Sequence, residues 1–72
     1  MPRLERAERL YAAAVEEFRD RVCHEAGASS QRYSAIVTQQ AEVLQHRAER
    51  VSQETGVPVR ILHALHLLRV RV

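Results

Sequence analysis

The chain has no Lys, no Trp and one Cys, and only two Gly and two Pro among its 72 residues. A lone thiol, Cys23, excludes an internal disulfide framework and makes a reducing, cytoplasmic setting the default. Long apolar runs are also missing. None approaches the roughly 18 residues of a membrane span, and the start, MPRLERAERL, is charged rather than signal-like. The sequence therefore predicts a soluble protein with no membrane partner. A CxxC pair, a Gly-rich phosphate loop and a Ser-His-Asp arrangement are all lacking, so no catalytic residue, cofactor site or metal site is assigned and a non-enzyme is expected.

Acidic residues run out before the chain does. Residues 1–26 carry five Arg against six acids, and residues 27–56 carry three against three. From Val57 onward there are Arg60, Arg69 and Arg71, with His63 and His66, and no acid. The excess basicity is confined to this end. All eleven basic residues are Arg, a bias that codon usage in a GC-rich genome explains as well as phosphate binding does.

The few glycines and prolines punctuate what remains. Gly27, in EAGASSQR, suits the left-handed position after a helix, with Ser29 or Ser30 as the next N-cap. Gly56, in ETGVPVR, repeats the signal, and Pro58 fits a first helical turn, where a missing N–H is tolerated. The fold class predicted is all-α: one helical domain over residues 1–72, with helices at about 3–26, 30–55 and 58–70. The first two carry apolar stripes, Leu4, Ala7, Tyr11, Ala14, Val15, Phe18, Val22 and Ala26, then Tyr33, Ile36, Val37, Ala41, Leu44, Ala48 and Val51. The aromatics Tyr11, Phe18 and Tyr33 lie on these stripes and are expected in the core. Each long helix spans roughly 35–40 Å, and a short link forces an antiparallel hairpin. Glu5–Arg9, Glu17–Arg21, Arg21–Glu25, Asp20–His24 and Glu42–His46 are spaced as surface i,i+4 pairs.

The third segment is apolar around too much of its circumference. Ile61, Ala64, Leu65, Leu68 and Val72 form the expected core face, which leaves Val59, Leu62, Leu67 and Val70 outside it. Such a helix is buried on two sides or makes an intermolecular contact. A chain this short buries only roughly 60% of its unfolded surface, which adds to the case for a homodimer: two hairpins forming a four-helix core, closed by the third helices. Leu62, Leu67 and Val70 are the expected protein-partner residues. If the chain is a piece of a longer protein, part of that apolar surface belongs against the remainder. LLRVRV also alternates with a period of two, so Leu68–Val72 has a strand reading beside the helical one.

Residues 48–67 resemble the bipartite helix-turn-helix pattern. Ser52 is the small residue four before Gly56, Val57 plugs the angle between helices, and Leu62 and Leu65 are the buried positions of the second helix. The resemblance implies a DNA-binding regulator, with Arg60, His63 and Arg71 facing a groove and His66 and Arg69 at the margin. Against it, the preceding helical pattern runs unbroken from about Ser30, and the outward face offers no Gln, Asn, Ser, Thr or Lys. The leading expectation is thus a protein-interaction or regulatory module, with DNA binding as the alternative. His63 and His66, near the helix C-terminus, are the candidates for a pH-sensitive interface. Cys23 is expected to be partly buried.

Overall fold

A computed structural model describes residues 2–27 and 30–71, with side-chain detail for residues 3–25, 27 and 31–68. The described chain is all-α, with helices α1 (Pro2–Ala26), α2 (Ser30–Thr55) and α3 (Val59–Arg71). Gly27 and Gly56 both take left-handed φ angles, 56° and 76°, which releases each long helix without the Cβ penalty another residue would carry. Ser30 is already helical, and Ser29 lies outside the described residues. The strand reading of the last segment gives way to helix through Arg71.

α1 and α2 form the expected antiparallel hairpin. Near its closed end Val22 and Ile36 pack together, flanked by Phe18 and Val37. Farther along, Glu17 is bridged to Arg47, thirty residues away. At the open end Ala7 and Tyr11 meet Ala48 and Val51, and there α3 closes the bundle with Val57 and Leu62.

The α2–α3 turn is held by a short series of bonds. The Gly56 N–H donates to the Ser52 carbonyl at 2.8 Å. The Thr55 hydroxyl donates to the Val51 carbonyl at 2.7 Å and accepts from the Val57 N–H at 3.3 Å. The Pro58 carbonyl then accepts from Ile61 and Leu62. Pro58 is therefore the residue that caps α3, one position before the first helical turn that the sequence predicts for it.

This turn corrects the predicted rotation of α3. The expected core face included Ile61, Ala64 and Leu68, yet Ile61 is 38% and Leu68 63% exposed, and Ala64 is exposed too. Leu62, expected at a partner-binding surface, is instead 1% exposed and is the largest fully buried side chain. Leu65 and Val59 are half-buried beside it. The reason is local. With apolar residues nearly all round, α3 has no strong phase of its own, and burial of Val57 just before the helix fixes which side turns inward. Val72, assigned to the same face, lies outside the described residues.

Other corrections follow from how far α3 reaches. Tyr33, expected in the core, is 54% exposed because only two helices meet at the closed end. Gln40 is buried where the stripe placed Ala41, which is exposed. No buried side-chain nitrogen or oxygen among the described residues lacks a hydrogen-bond partner, so the polar burial carries no unpaired-group penalty. Cys23 is exposed rather than partly buried.

The burial pattern predicts unequal responses along α3. Leu62→Ala should cost about 2–5 kcal/mol through lost burial and a cavity, whereas Leu68→Ala should stay within about 0.5 kcal/mol. Urea unfolding followed by circular dichroism measures both. Equal losses would contradict the observed rotation.

Candidate docking surface on the third helix

The turn that buries Leu62 presents Arg60, Ile61, Ala64, Leu67 and Leu68 to solvent. Leu67 is 62% exposed, matching its expected place at the surface. Beside the start of α3 is a shallow cavity of about 310 Å³ lined by Arg3, Leu4, Val57, Pro58 and Ile61. The Arg3 guanidinium lies over the turn, where a Cβ on Gly56 would come within 3.6 Å of it. This surface therefore combines apolar side chains with the cations of Arg3 and Arg60, on a helix whose sequence contains no acid. It can receive an apolar side chain in the cavity and a carboxylate at its rim.

Of the residues expected to face a nucleic-acid groove, Arg60 and His63 are exposed and His66 is half-buried. The His63 ring also lies 5.5 Å from that of Tyr11, tilted at 53°. The His66 ring lies 5.7 Å from the same tyrosine in an edge-on arrangement. One turn apart on α3, the two imidazoles both approach a single buried ring of α1, His66 half-buried against it and His63 still exposed to solvent. Burial also raises the Tyr11 phenol above its ordinary value of 10.0. The side chains of Arg69, Val70 and Arg71, also assigned to the two candidate surfaces, lie outside those described. Among the described residues, no three of His, Cys, Asp and Glu gather in a way that could hold a metal ion.

No known protein family, curated protein or solved structure matches this chain. Its surfaces must be read from their own chemistry. By that standard the helix-turn-helix resemblance is divided. Ser52 is half-buried, Gly56 takes the left-handed turn, Val57 and Leu62 are buried and Leu65 is half-buried, as the pattern implies. The outward face, among the described residues, sets Arg60 and His63 beside Ile61, Ala64, Leu67 and Leu68.

Sequence spacing also missed a charge contact between the long helices. Glu17 accepts from Arg47 across the hairpin and from Arg21 along α1 at 3.3 Å. The first partner is remote in sequence, so local spacing could flag only the second. His46 approaches Glu49 at 4.0 Å rather than pairing with Glu42. The cavity next to α3 has no signal in the sequence spacing, which puts Leu4 and Ile61 on the core stripes although both are 38% exposed.

The Glu17 carboxyl is held below its ordinary 4.5 chiefly by the Arg47 hydrogen bond and charge, with Arg21 adding to the effect. A depressed folded value means that this contribution to stability is present above the unfolded value and is lost as pH falls through the folded one. Replacing Arg47 with Ala should move the Glu17 midpoint upward, as read by carboxyl ¹³C NMR. An unchanged midpoint would contradict the cross-helix pair.

Proposed function

We propose that this chain is a small non-enzymatic interaction or regulatory module that docks an acidic, amphipathic partner helix along the outer face of α3. One observation carries this reading: Ile61, Leu67 and Leu68 are exposed on an acid-free helix that keeps Leu62 for its own core. Large apolar side chains collected at one edge of so small a protein mark an interaction surface rather than scattered exposure. The helix-in-groove mode fits, with apolar anchors spaced at i, i+3 or i+4 and i+7 entering the space beside Leu4 and Ile61. Arg3 and Arg60 favour a partner with carboxylates at the edges of its apolar stripe. The exposed lone thiol suits a reducing, cytoplasmic setting.

DNA binding is the second reading, favoured by the burial of Val57 and Leu62 around the Gly56 turn. It has less chemical support, because His66 is half-buried against Tyr11 and Arg60 is flanked by apolar residues.

The test is an NMR titration with two synthetic amphipathic helices that share a Leu stripe and differ in carrying Glu or Lys flanks. The Glu-flanked peptide should shift the amides of residues 60–68 and bind more tightly, and Leu67→Glu should weaken it by about ten-fold or more. Shifts confined to other helices, or a preference for Lys flanks, would contradict the proposal. The second reading instead predicts duplex DNA binding that weakens steeply between about 50 and 200 mM salt and falls further with Arg60→Ala.

A further inference from the structure

The chain exposes more surface than its mass requires. Its accessible area is 5599 Å², against about 4,600 Å² for a compact monomer of 8.3 kDa. Its radius of gyration is 13.3 Å, against about 11 Å for a compact chain of this length. The excess of about 1,000 Å² is close to the roughly 800 Å² that each partner contributes to a standard stable interface.

Helix lengths locate part of this excess. α1 and α2 have 25 and 26 residues, whereas α3 has 13. At 1.5 Å per residue, α3 spans about 20 Å of a hairpin nearly 40 Å long. It packs at the open end, so the closed-end half has no third helix over it. There a cavity of about 380 Å³ is lined by Phe18, Arg19, Val22, Cys23, Tyr33 and Val37. Val22 is the buried member of this group, Phe18 and Val37 are half-buried, and Tyr33 stands largely in solvent.

Charge selects the occupant. An isologous contact places a patch against its own copy, so a patch of one sign repels itself. The α3 helix, whose charged residues are all Arg, is poorly suited to such a contact. The closed-end groove is better suited: its α2 wall contains no charged residue from Tyr33 to Ala41, and Arg19 on α1 is the single charge in its lining. Val37 and Ala41 lie four apart on one face, and Ala41 is exposed and small enough to permit close helix approach.

We infer that a second copy of this chain covers the closed-end groove at Phe18, Tyr33 and Val37 and the neighbouring exposed α2 face at Ala41, forming a homodimer whose core is a four-helix bundle of two hairpins. The outer face of α3 stays open at the far ends of the assembly. Each dimer therefore carries two separate docking surfaces, and this inference is independent of what binds them.

Sedimentation equilibrium of the full chain, from about 5 to 200 µM, tests the dimer in a range where micromolar affinities are measurable. The wild-type protein should approach twice its 8.3 kDa chain mass. Tyr33→Glu and Ala41→Glu change exposed positions, so helicity by circular dichroism should persist while dimerisation weakens about ten-fold or more. Leu67→Glu should leave the dimer intact. A monomer throughout the range would overturn the inference, as would a dimer lost in Leu67→Glu and kept in both groove variants. Binding of the Glu-flanked peptide by a monomeric protein would overturn the dimer alone and leave the α3 reading standing.

Discussion

Leu62 joins a buried cluster drawn from every helix, with Ala7 and Tyr11 of α1, Ala48 and Val51 of α2, and Val57 from the turn. Ala7 and Ala48 are completely buried. Their small side chains let the long helices come close enough to close over Leu62. The closed end has a smaller cluster of its own, centred on Val22 and Ile36. Placement of α3 therefore depends on a modest number of apolar contacts around one leucine, supported by the His63 and His66 rings on Tyr11. In a chain of this size, those contacts are a large share of a small margin of stability.

The same constraint separates the two faces of α3. Once Leu62 points inward, the 100° step of the helix sends Ile61, Leu67 and Leu68 outward. Apolar exposure on α3 is then a consequence of how the turn seats the helix. Because α3 is half as long as its neighbours, its docking also leaves the closed-end groove uncovered. These two surfaces differ in charge, one edged by Arg and the other bounded on α2 by uncharged residues. That difference suits the first to the proposed acidic partner and the second to the proposed self-contact.

The hairpin was legible because its signals are local and repeated. Gly27 and Gly56 mark the helix ends, and the stripes containing Ala7, Tyr11, Ala48 and Val51 keep helical spacing through each long segment. The phase of α3 was not legible from α3. Its ring of Val, Leu, Ile and Ala gives several inward faces nearly equal apolar content, and the choice falls to Val57 and the Thr55 and Pro58 bonds of the turn. The helix-turn-helix spacing did place Leu62 and Leu65 inward, because it starts its count at that turn. The same spacing set His63 outward, where it is exposed, and carries no sign of the Tyr11 ring that it also approaches from a different helix. Tyr33 was misplaced for a related reason: a stripe records which side faces the neighbouring helix, and the length of α3 decides how much of that side is covered.

The rotation of α3 about Leu62 decides which of its side chains face solvent, and methyl NOE spectroscopy tests it directly. Cross-peaks are expected from the Leu62 methyls into the cluster of Ala7, Tyr11, Ala48 and Val51, and from the His66 ring to Tyr11. The Leu68 methyls should show no cross-peaks to that cluster. Strong contacts from Ile61 and Leu68 to Ala48 and Val51, with Leu62 left without them, would contradict it.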